Sequence, residues 1–255
     1  MITSNPIQII LNNNKTDQQM VGIDIIKSPI KYEILDLLRH GEMNFEEIVG
    51  NMSKSKASIS MHLRDLREEG IVNYRVDPID NRKKIFFLES EFLGSIDSEK
   101  IKEAHKNQTR TLIEEYVKKG DIEFATLLTN TLKSYLLELG IDISPILKNI
   151  GNYIGEYLFN QLADENLDLF LQNIRSYWLE NNLGRLHFNT KNHIEITCIG
   201  CFESVYVPRS GEANCFIEKG IFEALFNKFF NFDLKIEETK CYSMGDGKCV
   251  FIIQP

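Results

Sequence analysis

The chain has 255 residues, 43% of them hydrophobic and 26% charged, enough for two domains that each bury a core and ordinary for a soluble globular protein. No apolar run reaches ~18 residues, which excludes a membrane-spanning helix. The net charge of −8 argues against a nucleic-acid partner only as an average, because residues 1–90 hold 12 Lys and Arg against 13 Asp and Glu. Phosphate binding depends on local clusters of cations rather than on the sum.

Residues 1–14 contain a short apolar run, Ile7 to Leu11, with no cationic segment before it and no cleavage site after it. They are expected to form a polar, flexible arm of a cytoplasmic protein. A helical pattern is expected from Thr16 to Ile26. Ser28-Pro29 then supplies an N-cap and a first-turn proline for a helix whose apolar residues Ile30, Ile34, Leu37 and Leu38 recur at helical spacing up to Gly41. Asn44 caps a short helix from Phe45 to Met52, with Phe45, Ile48 and Val49 on its inner face. Ser55 caps a third, whose Ile59, Leu63 and Leu66 fall at i, i+4 and i+7 before Gly70 closes it.

From Ile71 the period changes to two. Ile71 to Val76 is predicted as a strand, Asp77 to Lys84 as a turn, and Ile85 to Leu88 as the return strand. Three helices and a hairpin define a winged helix-turn-helix over residues 27–90. On the third helix Ser55, Lys56, Ser60, Met61 and Arg64 lie away from the apolar stripe, and the hairpin tip carries Arg82, Lys83 and Lys84. Small, hydroxylic and basic side chains suit a helix entering a major groove, with the tip cations on backbone phosphates. The segment Ser60-Met61-His62-Leu63-Arg64-Asp65-Leu66-Arg67-Glu68-Glu69-Gly70-Ile71-Val72 resembles the ArsR-type winged-helix repressors. That resemblance implies DNA binding. The metal-binding cysteines that some of those repressors carry in this domain are absent here.

Residues 91–120 are expected to form a charged connector, helical from Ile101 to Lys119. Beyond the break at Gly120-Asp121 a second domain is expected over 121–255, with helices from Ile122 to Leu139, Ser144 to Leu162 and Leu167 to Glu180. Strands follow at Arg185 to Phe188, His193 to Ile199 and around Val205, then a helix from Ala213 to Phe230 and a strand pair at Asp233 to Thr239 and Cys249 to Ile253. Trp178, Tyr177, Phe222, Phe226, Phe229 and Phe230 are read mostly as core, with room for part of them to line a small apolar pocket. The fold class expected for the whole is α+β, a winged helix-turn-helix joined to a mixed α/β sensor domain.

All five cysteines lie between Cys198 and Cys249, which in a chain of this kind is no disulfide framework. Cys241 and Cys249 flank a glycine-rich turn, Glu238 lies three residues upstream, and Cys215 joins them if its helix packs over the hairpin. Three thiolates and a carboxylate satisfy tetrahedral zinc in a closed, structural site. Three buried thiols without a metal are the plainer alternative. The set Cys215, Glu238, Cys241 and Cys249, with spacings of 23, 3 and 8, resembles the zinc site of the 4-vinyl-reductase-type sensor domain. Cys198 and Cys201 form a CxxC motif open to three readings: a disulfide switch, a metal ligand pair, or two turn cysteines.

A winged helix joined to this sensor resembles, in architecture, the redox-responsive MsvR-type regulators of methanogenic archaea, which implies a redox switch at Cys198 and Cys201. No P-loop, Rossmann or GxSxG signature is present, and no catalytic residue is assigned, so an enzyme is the least favoured class. The function expected is a homodimeric regulator of a double-stranded operator, its two recognition helices meeting successive major grooves. Helices at Thr16 to Ile26 and Ile101 to Lys119 are expected to pair or connect the subunits. The alternative is a regulator that binds a small apolar or aromatic ligand in the second domain, with its cysteines purely structural.

Overall fold

Alternating apolar residues near the N-terminus form a strand rather than an arm: β1 (Ile7–Asn12) buries Gln8, Ile10 and Asn12 along one side. β2 (Gly22–Ile26) pairs with it antiparallel, Ile10 opposite Asp24 and Gln8 opposite Ile26. The helix expected from Thr16 to Ile26 is therefore corrected over residues 22–26. There Ile-Asp-Ile-Ile alternates in the strand period, and the pairing with β1 satisfies its backbone. The computed structural model describes residues 7–12, 22–96, 108–120, 123–191, 193–207 and 209–254. Of the expected helices, residues 16–21 and 101–107 therefore lie outside the described residues. The chain divides into two units, Met1–Lys100 with Gly140–Asp142, and Ile101–Leu139 with Ile143–Pro255.

In the first unit Ser28 caps α1 (Pro29–Arg39), accepting from the Lys31 amide. Asn44 and Glu47 cap α2 (Phe45–Asn51) reciprocally, at 3.0 and 2.7 Å. Ser55 caps α3 (Lys56–Glu68) through the Ser58 amide. Ile34, Leu35, Ile48, Ile59, Leu63 and Leu66 bury against one another and against Ile71 and Phe86. Each such side chain contributes about 1.5–3 kcal/mol on leaving water.

The wing is a three-stranded antiparallel sheet in the order β3-β5-β4, made of β3 (Met43–Asn44), β4 (Val72–Val76) and β5 (Lys84–Leu88). A further strand, β6 (Glu91–Ile96), lies where a helical connector was expected to begin. It pairs with β1 on one side and with β7 (Ile141–Asp142) on the other.

The second unit starts with α4 (Gln108–Lys119) and α5 (Phe124–Glu138), tied by the Thr109 amide donating to Glu138 at 2.8 Å. α6 (Ser144–Leu162) and α7 (Leu167–Glu180) have the bounds expected from their periodicity. An antiparallel sheet in the order β10-β11-β9-β8 follows from β8 (Arg185–Asn189), β9 (Glu195–Ile199), β10 (Lys235–Lys240) and β11 (Cys249–Gln254). The strand expected around Val205 is instead a succession of turns.

α8 (Phe216–Phe230) sits at the centre and is buried on nearly every side from Glu218 to Phe226. Phe222 stacks on Trp178 of α7 at 5.0 Å and meets Phe251 of β11 edge-on at 5.3 Å. α6 presses against α8 through glycines: a Cβ on Gly151 would lie 2.1 Å from the Ile217 carbonyl, and one on Gly220 2.1 Å from that of Lys148. This approach fixes where α8 begins, and its N-terminal flank is Cys215. No helix among the described residues is long and apolar enough to cross a membrane.

Candidate metal centre and nucleic-acid interface

Three elements bring the predicted metal ligands together. Cys215 is the residue before α8, Glu238 lies on β10, and Cys241 and Cys249 flank the turn into β11. One donor atom from each of the four lies within 4.8 Å of all the others. Cys215 Sγ is 3.6 Å from Cys241 Sγ and 3.5 Å from Cys249 Sγ, and Cys241 and Cys249 are 3.9 Å apart. Two thiolates on one tetrahedral zinc, with S–Zn of ~2.3 Å, stand about 3.8 Å apart. A disulfide needs ~2.05 Å, and all five cysteines are free.

Glu238 Oε2 accepts from the Cys215 amide at 3.0 Å, whereas its buried Oε1 finds no partner among the described residues. An orphaned carboxylate oxygen beside three clustered thiols fits a cation. A zinc ion here would be held by Cys215, Glu238, Cys241 and Cys249 and would lock the start of α8 onto the final hairpin. Ser243 Oγ lies 3.0 Å from Cys241 Sγ, and Ser204 Oγ lies 3.1 Å from Cys215 and 3.2 Å from Cys249. These hydroxyls orient the thiols as outer-shell groups do.

The CxxC pair belongs to the same chamber, which reading the motif in isolation missed. Register places Cys198 of β9 directly opposite Cys249 of β11, hence on the same face of the sheet. Gly184, at φ +133°, leaves room for it, since a Cβ there would lie 2.7 Å from Cys198 Sγ. Cys201 Sγ is 3.5 Å from Cys215 Sγ and 3.1 Å from Glu218 Oε2. Cys198, Cys201 and Glu218 form a second group whose donor atoms lie within 4.8 Å of one another. The Trp178 indole N–H donates to the other oxygen of Glu218 at 2.8 Å. Nothing in the sequence pointed to Glu218; the one available signal was the crowding of all five cysteines into a single stretch.

Burial and mutual hydrogen bonding set the acidities. Hydrogen bonds from Cys215 and Cys249 hold the Cys241 thiol well below its usual range. Burial opposes ionisation of Cys201, but hydrogen bonds from Cys198, Cys215, Cys249 and Glu218 outweigh it and lower that thiol too. Burial raises Cys215 and Glu218 far above their ordinary values and pushes Glu238 up to about 9. Each group thus favours one thiolate surrounded by protonated neighbours.

Beside this chamber a buried ion pair anchors the intervening loop. Lys133 of α5 meets Glu203 Oε1 at 2.8 Å and also donates to the Glu203 and Asn214 carbonyls. Glu203 in turn accepts from the Ile217 and Glu218 amides, capping the N-terminal end of α8. Asn130 of α5 donates to the Phe202 carbonyl at 2.7 Å.

In the first unit, a cleft of about 810 Å³ runs between α3 and the wing. Ser60, Arg64, Arg67, Arg82, Lys83 and Lys84 line it, opposite Glu46 and Glu47 at the start of α2. The structure therefore gathers the predicted recognition-helix and wing residues on one surface, apart from three. Ser55 is occupied as the α3 cap, Lys56 is paired with Glu46 at 2.7 Å, and Met61 is exposed outside the cleft lining. Arg67 and Lys84, the former absent from the predicted set, both lie over the Tyr74 ring, at 4.3 and 4.2 Å.

A winged helix-turn-helix joined to a cysteine-centred α/β domain defines a class, and similarity to known families supports both halves. Residues 28–74 match the bacterial regulatory proteins of the arsR family, and residues 194–255 match the 4-vinyl-reductase-type domain. The chain thus pairs an ArsR-type DNA-binding regulator module with a domain of that second family, the composition of a transcriptional regulator. Two uncharacterized proteins of Methanocaldococcus jannaschii are each 26% identical to it. MJ1642 aligns over 113 residues, 42% of this chain and 70% of its own, and MJ0150 over 121 residues, 47% and 69%.

Among solved structures, a vinyl-4-reductase family protein from M. jannaschii overlaps 60% of this chain and 95% of its own at 16% identity, with a TM-score of 0.37. The phenol-responsive sensory domain of the transcription activator PoxR, with phenol, overlaps 78% of this chain and 90% of its own at 11% identity and the same TM-score.

Proposed function

We propose that the chain is a homodimeric DNA-binding transcriptional regulator whose operator affinity is set by the oxidation state of Cys198 and Cys201, in a C-terminal domain holding structural zinc at Cys215, Glu238, Cys241 and Cys249. The observation that carries this reading is the 3.5 Å contact between Cys201 and Cys215, which joins the CxxC pair to the metal-ligand set. A two-electron oxidant that converts Cys198 and Cys201 to a disulfide removes two thiol protons from the chamber and pulls Cys201 away from Cys215. Cys215 sits where α8 begins, and Lys133 and Asn130 tie α5 to the loop carrying Cys201. Oxidation changes operator affinity to the extent that it stabilises one of two arrangements of this domain.

Ser60, Arg64, Arg82, Lys83 and Lys84 are the residues proposed to read or clamp the operator, together with Ser55, Lys56 and Met61 at the rim. The α3 face offers groove-reading groups and the wing tip offers phosphate-binding cations. Dimerisation is supported by α5, whose polarity is inverted. It buries Asn130, Lys133 and Ser134 while Phe124, Leu128, Leu132 and Tyr135 are 51–70% exposed along one face. A second copy of the same helix would cover that face.

The test uses an operator selected from a random duplex pool by the reduced protein. Affinity should change at least tenfold on oxidation and recover with a thiol reductant, and Cys198→Ala or Cys201→Ala should abolish the response. Affinity indifferent both to redox state and to every single cysteine substitution would refute it.

A further inference from the structure

The second group of donors is as closely built as the first. Cys198 Sγ, Cys201 Sγ and a Glu218 oxygen lie within 4.8 Å of one another, and all three residues are fully buried. Glu218 is oriented by the Trp178 indole, which engages one oxygen and leaves the other facing Cys201. A tetrahedral ion at this group lacks one ligand, and Cys215 Sγ stands 3.5 Å from Cys201 Sγ, about the edge of a tetrahedron of thiolates. Cys215 keeps the same spacing to Cys241 and Cys249. Its sulfur therefore occupies a corner common to two tetrahedra.

We infer that the chamber is a dinuclear centre, with a second soft divalent ion, zinc or cadmium, held by Cys198, Cys201 and Glu218 and by Cys215 as a thiolate bridging to the first ion. The donor set of three sulfurs and one carboxylate oxygen selects such ions over magnesium or calcium, which require oxygen ligands. Binding replaces the thiol protons of Cys198 and Cys201 with the ion and releases them to solvent, with no electron transferred. The proposal rests on the metal and redox readings above and defines the reduced state of the switch: with the ion in place the two sulfurs are held as separate ligands.

The test is metal stoichiometry of the full-length protein under strictly reducing conditions. The protein is loaded with zinc or with cadmium-113 and measured by elemental analysis, native mass spectrometry and cadmium NMR. Two ions per chain are expected, and two cadmium resonances split by mutual coupling through the shared sulfur. Cys198→Ser and Glu218→Gln should each reduce the count from two to one while the remaining resonance persists. One ion in the saturated wild-type protein would overturn the second site and leave the first intact, whereas no ion at all would overturn both. Two ions retained in Cys198→Ser/Cys201→Ser would also refute it. The wild-type count and coupling decide the matter even if a variant fails to fold.

Discussion

Lys133 holds an ammonium group at 3% side-chain exposure against the fully buried carboxylate of Glu203. Removing one member of such a pair strands the other in a medium that solvates it poorly, at a cost of about 3–5 kcal/mol. Lys133→Met should therefore lower the Tm of the C-terminal unit by on the order of 10 °C, measured by calorimetry on the metal-loaded protein. Lys133→Met/Glu203→Gln should recover part of the loss, and an unchanged Tm in the single variant would show that the pair contributes nothing. Neither residue was legible in the sequence. A lysine in an amphipathic helix reads as solvent-facing, and a glutamate in a turn has no recognisable partner 70 positions away. The four metal ligands were legible because residue type and spacing both carry information there. Cys201 was only half legible, because a CxxC motif does not say which strand will lie beside it.

Among the elements, α6 and α8 meet so closely that their glycines act as the contact surface. Gly151→Ala and Gly220→Ala would each place a methyl group 2.1 Å from a carbonyl oxygen of the partner helix. Each should cost about 3 kcal/mol or more and weaken metal retention, since displacing α8 displaces Cys215. Gly50→Ala in α2, whose new methyl would meet nothing within 4 Å, should be neutral or raise stability by about 0.5–1 kcal/mol. Chemical denaturation of all three variants, with zinc content measured alongside, separates these outcomes. Equal effects at Gly50 and Gly151 would contradict the packing described. The helices of the winged domain and α6 and α7 were readable because their caps and apolar periods agree. β1, β2 and β6 were not, because a strand's pairing partner is remote and a short apolar segment before a polar run resembles an arm.

Across the whole molecule, charge and oligomeric state are the accessible quantities. The net charge of −8 is carried almost entirely beyond residue 90, so the basic cleft is expected to bind DNA with steep salt dependence despite the acidic average. Arg82→Ala and Lys83→Ala should each flatten the plot of log affinity against log salt by about one unit, with little change in sequence preference. A slope unaffected by either would remove the wing tip from the interface. Leu132→Glu, on the exposed apolar face of α5, should convert the dimer to monomer in sedimentation equilibrium and weaken operator binding. A persistent dimer would place the subunit contact elsewhere. Two domains and α+β architecture were recoverable from composition and period, whereas the inverted polarity of α5 emerges only once its neighbours are known.

The five thiols share complete burial, and that has a kinetic consequence. An oxidant, alkylating reagent or chelator reaches them only when the lobe opens, so the protein's own breathing limits the rate at which it can respond. At high reagent concentration, thiol labelling should level off at the opening rate instead of rising in proportion to dose. A regulator built this way ignores brief pulses of oxidant and records sustained ones, filtering its signal by duration.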